Sequence, residues 1–155
     1  MDRRDFVKAL GLGVALGAGS RALAAQQAPL PTLTVYKDPG CGCCEAWIDH
    51  VKANGFKVTA MNTQQLPAVK AQLGVPAGLE SCHTVVAGSY LIEGHVPADD
   101  VKRMLREKPA IRGIAVPGMP IGSPGMEQGP PSGYQKYQVI AFTANGTRSV
   151  FARHG

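Results

Sequence analysis

Thr32-Leu33-Thr34-Val35-Tyr36-Lys37-Asp38-Pro39-Gly40-Cys41-Gly42-Cys43-Cys44-Glu45-Ala46-Trp47-Ile48 is the stretch whose reading decides the fold. Its first six residues are rich in β-branched side chains and predict a buried strand. Asp38-Pro39-Gly40 turns the chain. From Cys44 to Asn54 the apolar residues Ala46, Trp47, Ile48, Val51 and Ala53 recur mostly at helical spacing, and Gly55 is a natural terminator. A strand thus delivers a C-x-x-C pair, Cys41 and Cys44, to the start of a helix, with a third thiol, Cys43, inside the pair.

Outward from there, Phe56 to Met61 alternates as a second strand, and Gln64 to Leu73 reads as a helix ended by Gly74. Thr84 to Ala87 and Tyr90 to Glu93 flank Gly88-Ser89 as a hairpin. Ala98 to Glu107 reads as a helix whose Asp99 and Asp100 suit the positive end of its dipole. The order β-α-β-α-β-β-α predicts an α/β, thioredoxin-like fold with the C-x-x-C at the end of its first strand. Pro109 to Tyr134 is rich in Gly, Pro and Met and predicts an irregular arm. Tyr137 to Phe142 and Thr147 to Ala152 flank Asn145-Gly146 as a C-terminal β-hairpin. Trp47 is expected to pack the first helix on the sheet, and Met61 and Met104 read as core residues.

Residues 1–24 read as an export signal. Arg3 and Arg4 form a twin-arginine start, a short apolar stretch follows, and Ala22-Leu23-Ala24 is an A-x-A cleavage pattern. The apolar stretch is too short and glycine-rich for a membrane span. The expectation is a periplasmic protein, with residues 25–31 as linker and 32–155 as a single domain. Cleavage would leave 12 basic and 9 acidic residues, so the net charge falls from +5 to +3. The basic residues are scattered without aromatic interleaving, which argues against nucleic acid as a partner.

Four cysteines in an exported chain normally mean two disulfides. Here Cys43 and Cys44 are adjacent, so at most one pair closes within the cluster. The C-x-x-C at a helix N-terminus favours thiolate, the form that attacks disulfides and also the form that binds metal. Three features shift the balance toward metal. Cys43 beside a redox pair would invite mispairing but serves well as a bridging ligand. Where oxidoreductases of this fold carry a proline facing the pair, this chain has Cys82-His83-Thr84. Further soft donors follow in His95, Met119 and Met126.

Such a donor set suits Cu(I). Four thiolates around one Cu(I) would leave three negative charges in a partly buried site, whereas several ions sharing bridging thiolates neutralise them. A polynuclear copper–thiolate site is the expectation. Zinc is the competing metal, although C-x-C-C differs from the paired C-x-x-C of structural zinc sites. A thiol–disulfide oxidoreductase using Cys41 and Cys44 is the alternative function. His50 reads as a surface residue and His154 as part of a disordered end. As alternatives to ligation, His95 would bond a nearby carbonyl, and Met119 and Met126 would pack the arm onto the core.

Tyr36-Lys37-Asp38-Pro39-Gly40-Cys41-Gly42-Cys43-Cys44, Ser81-Cys82-His83-Thr84, Glu93-Gly94-His95-Val96-Pro97-Ala98, Val116-Pro117-Gly118-Met119-Pro120 and Gly122-Ser123-Pro124-Gly125-Met126-Glu127 together carry a specific resemblance. The chain resembles the small bacterial metal-binding family, formerly of unknown function, that includes the periplasmic copper-resistance protein CopG. The likeness spans about Thr32 to Phe151, with no departure in these motifs. It implies a thioredoxin-like fold, copper binding and a role in copper tolerance. Cys41, Cys43, Cys44 and Cys82 are then the expected thiolate ligands. His83 and His95 would be secondary ligands or orienters, and Met119 and Met126 would lie on an arm capping the site. Copper ions, and other periplasmic copper-handling proteins, are the expected partners.

Overall fold

Leu33, Val35 and Lys37 point into the protein while Thr34 and Tyr36 are half-exposed, the period-two signature of a strand. This is β1 (Leu33–Lys37) of a computed structural model that describes residues 28–155. The expected export signal lies outside the described residues. Among the described residues no helix is long and apolar enough to cross a membrane.

α1 (Gly42–Ala53) buries Cys44, Trp47, Ile48 and Val51, one apolar stripe. It packs that stripe on the sheet, and Trp47 Nε1 donates to the Val96 carbonyl at 2.9 Å. β2 (Val58–Asn62) returns parallel to β1. It forms one edge of the sheet, so Met61 is 46% exposed rather than part of the core; Met104 is buried as expected. α2 (Leu66–Leu73) ends at Gly74 in the left-handed conformation. β3 (His83–Ala87) runs antiparallel to β1 and makes a hairpin with β4 (Tyr90–Glu93). α3 (Ala98–Glu107) starts with Asp99 and Asp100 in its first turn.

The arm is less irregular than its composition predicts. Gly113–Ala115 forms β5, parallel to β4 and antiparallel to β6 (Tyr137–Phe142). A Cβ at Gly113 would lie 2.2 Å from the Leu91 carbonyl oxygen, so only glycine fits there. β5 joins the C-terminal hairpin of β6 and β7 (Arg148–His154) to one seven-stranded sheet, ordered β2-β1-β3-β4-β5-β6-β7. Among the described residues, three α-helices and this sheet make a mixed α/β domain.

His154 is not a disordered end residue. Its Nε2 lies 2.6 Å from Asp100 Oδ2, and its ring stacks on Tyr137 with centroids 5.1 Å apart. Arg103 adds a second tie between α3 and β7, donating to the Phe151 carbonyl at 2.6 Å with its guanidinium over the Phe151 ring. Burial, with Asp100 and Glu127 nearby, pushes the Tyr137 hydroxyl from 10.0 up to about 12. The folded state therefore holds the proton more tightly than the unfolded chain, and stability falls as pH rises from about 10 to about 12. Denaturant titrations across that window should show a steeper alkaline loss for the wild type than for Tyr137→Phe.

Candidate metal centre

The β1–β3 register places Lys37 opposite His83. Beyond Lys37 the chain turns through Asp38, whose carboxylate accepts the Gly40 N–H at 2.8 Å and whose carbonyl accepts the Cys41 N–H at 3.1 Å. Cys41 then occupies the N-cap of α1, with Cys43 and Cys44 in its first turn. Across the sheet, Cys82 immediately precedes β3. Two segments 39 residues apart in sequence thus converge.

The four cysteine sulfurs lie within 4.8 Å of one another. Cys41 and Cys44 are joined as a disulfide, and Cys43 and Cys82 are free thiols. Cys43 Sγ is 3.5 Å from Cys41 Sγ and 3.7 Å from Cys82 Sγ. Cys82, His83 and His95 form a second group of donors within the same span. Cys82 Sγ lies 3.3 Å from His83 Nδ1 and 2.9 Å from His95 Nε2.

Both imidazoles are fully buried. Burial holds His83 well below its ordinary 6.5, with His95, Lys70 and Lys37 adding to the effect. Burial also lowers His95, against the Pro124 carbonyl and Glu127. Both rings are therefore neutral at neutral pH and can offer a lone pair. In His95 the Pro124 carbonyl, 2.8 Å from Nδ1, requires the proton there and leaves Nε2 bare toward Cys82. His83 packs between Trp47 and His95, and its buried Nε2 has no hydrogen-bond partner among the described residues. Burial, then the neighbouring Cys43, pushes the Cys82 thiol up to about 12.

The arm covers this end of the sheet. Ser81 Oγ donates to the Gly118 carbonyl, and the Gly118 N–H donates to the Glu80 carbonyl at 3.2 Å. Met119 is 50% exposed and brings Sδ to 4.0 Å from Cys43 Sγ. Gly125, with φ +85°, lies so close to α1 that a Cβ would meet Trp47 N at 2.8 Å and the Cys43 carbonyl at 2.9 Å. Met126 is buried, and among the described residues its sulfur forms no hydrogen bond to a cysteine. His50 is half-buried rather than a free surface group. Its Nε2 accepts the Ala98 N–H at 3.0 Å, tying α1 to the start of α3. His154 is remote from the cysteines, on the Asp100 latch.

One supporting network escapes sequence reasoning. Glu93 is fully buried and accepts from Lys70 Nζ, from Thr84 Oγ1 at 2.5 Å and from the Ser81 N–H at 2.6 Å. Lys70 also donates to Thr84 Oγ1 at 2.9 Å. Thr84 and Glu93 are cross-strand partners, and that polar pair inside two apolar strands was the available signal. The network anchors the loop that carries Cys82. Lys37, 1% exposed, is likewise inside, with Nζ 2.6 Å from Glu45 Oε1.

A cysteine–histidine cluster at one end of an α/β sheet defines a domain with a group of residues that could hold a metal ion. Comparison with known proteins narrows this. Residues 79–126 match the family described as a protein of unknown function, DUF411. The chain is similar to a solved structure of copper resistance protein CopG, Form 1, at 48% identity and TM-score 0.75, covering 81% of this chain and 98% of that one. It is similar to Form 2 of the same protein at 48% identity and TM-score 0.76, covering 83% and 100%. The chain belongs to this DUF411 family of copper resistance protein CopG. No curated protein matches it.

Lys70→Met leaves the Glu93 carboxylate buried without its cation and should cost about 3–5 kcal/mol in urea unfolding of the metal-free protein. Lys70→Met with Glu93→Gln should cost less. Gly125→Ala should lift residues 122–126 from α1 and open the Pro124–His95 bond. Hydrogen exchange should then rise there while β1 and β3 keep their protection.

Proposed function

We propose that this is a periplasmic copper-binding protein of copper resistance that holds Cu(I) in a polynuclear cysteine-thiolate site. The observation that carries the reading is the convergence of four sulfurs and a bare imidazole nitrogen within reach of shared metal ions. The donor set fits: soft sulfur, neutral nitrogen, a thioether at the rim and, among the described residues, no carboxylate grouped with the sulfurs suit Cu(I) above harder cations. With the Cys41–Cys44 bond open, Cys41, Cys43, Cys44 and Cys82 would be the thiolate ligands. His95 would be a terminal ligand, His83 would orient Cys82 and His95, and Met119 would cap the exposed side. Met126 would serve the arm by packing. A thioredoxin-like frame is supported by the β2-β1-β3-β4 order and by the cysteine pair at the turn from β1 into α1.

Copper bound there supplies soft Lewis acidity and one-electron chemistry, for sequestration, transfer to other periplasmic copper-handling proteins, or cycling between Cu(I) and Cu(II). The chain's residues fix the imidazole proton on Nδ1 of His95, exclude water behind His83 and Trp47, and keep the rim open at Met119. The Arg3-Arg4 start and Ala22-Leu23-Ala24 support export by the twin-arginine route.

The closed Cys41–Cys44 bond at the start of α1 favours a second reading, thiol–disulfide exchange. Under the copper reading, protein reduced anaerobically and exposed to Cu(I) and Zn(II) together should retain more than one copper per chain with all four thiols blocked. One zinc per chain and no copper would contradict it. Catalysed reduction of a protein disulfide, with no copper retained, would establish the second reading instead.

A further inference from the structure

We propose that the chain has a second metal-binding state. With Cys41 and Cys44 joined, Cys43, Cys82, His95 and Met119 still hold a single Cu(I). This rests on the copper reading above and assigns the regulation of that site: the state of the Cys41–Cys44 pair sets how many ions it takes, several when open and one when closed.

The disulfide removes two thiolates but does not dismantle the rest. Cys43 Sγ and Cys82 Sγ are both free and lie 3.7 Å apart. Two thiolates on one tetrahedral ion, with metal–sulfur bonds of about 2.3 Å, have their sulfurs about 3.8 Å apart. The remaining pair therefore already stands at the separation that one shared ion requires.

A nitrogen donor is set beside Cys82 independently of the disulfide. His95 is fully buried, its proton is held on Nδ1 by the Pro124 carbonyl at 2.8 Å, and its bare Nε2 lies 2.9 Å from Cys82 Sγ. A ring fixed in tautomer and orientation before metal arrives loses little freedom on binding. On the other side Met119 Sδ lies 4.0 Å from Cys43 Sγ on a half-exposed side chain, an adaptable thioether where an ion passes between site and solvent. His83 closes the back, with Nδ1 3.3 Å from Cys82 Sγ and its ring against Trp47 and His95.

Charge agrees with a count of one. Two thiolates and one Cu(I) leave a single negative charge, which a partly buried site bears far more easily than the three left by four thiolates around one ion. With only two thiolates remaining, there are too few bridges for a cluster. The closed state is thus a two-thiolate, one-imidazole, one-thioether site, a soft donor set that retains Cu(I) while excluding hard cations.

The test compares disulfide-closed protein, verified by mass spectrometry of an alkylated aliquot, with fully reduced protein. Both are titrated anaerobically with Cu(I) against a chromophoric Cu(I) chelator. The closed form should retain one copper per chain. Cys82→Ser should abolish that retention, and Met119→Leu, on the exposed arm, should weaken it without changing the far-ultraviolet circular dichroism. Cys41→Ser with Cys44→Ser, which has no disulfide to reopen, should also bind one copper. If the closed form takes no copper while the reduced form takes several, this inference is wrong and the copper reading stands. The inference also fails if one copper binds but is indifferent to Cys82 and Met119. If the reduced form takes none, the copper reading itself falls.

Discussion

The antiparallel pairing of β1 with β3 is the constraint on which the site depends. It sets Lys37 opposite His83, and so puts the turn into Cys41 beside the loop that ends at Cys82. The register is pinned by buried pairs farther along the same strands, Val35 opposite Val85 and Leu33 opposite Ala87. A slip by one residue would turn those side chains to the wrong face and lose their burial. Hydrophobic packing at one end of two strands thereby specifies a sulfur–sulfur distance at the other.

Toward that end the interior changes character. Lys37, Lys70, Glu93, Thr84, His83 and His95 are all buried, in a small domain whose remaining core is largely aliphatic. Such groups are tolerated because they are paired or hydrogen-bonded: Glu93 with three donors, Lys37 with Glu45, His95 with Pro124. Within this group, and among the described residues, the unpartnered nitrogen of His83 is the exception, and it lies at the cysteine cluster. Ordered polar groups behind the sulfurs orient them, while the arm, held at Gly118 and Gly125, covers them without sealing Met119.

Much of this was legible in the sequence. The strand, turn and helix around Cys41–Cys44 come from alternation, Asp38-Pro39-Gly40 and an apolar stripe, all local signals. Cys82, His83, His95 and Met119 are identified by their chemistry, and the fold brings both imidazoles to Cys82 and the Met119 thioether to Cys43. What was not legible is non-local. β5 is three residues long in a stretch rich in glycine and proline, too short to show alternation, and exists because β4 and β6 flank it. Lys70 reads as a surface residue on a short helix until Glu93 is placed beneath it. His154 near the end of the sequence is ordered by its place in β7 and by Asp100 and Tyr137. Met61 has a core-type side chain, but its strand forms the sheet edge. Met126 is grouped with Met119 by sequence, and its side chain is buried where that of Met119 is half-exposed.

The central claim is that the sulfurs brought together by the β1–β3 register share copper ions. X-ray absorption at the copper edge of reduced, copper-loaded protein tests it most directly. A first shell dominated by sulfur together with a resolved copper–copper distance is the predicted result. A shell of nitrogen and oxygen with no neighbouring copper would contradict it.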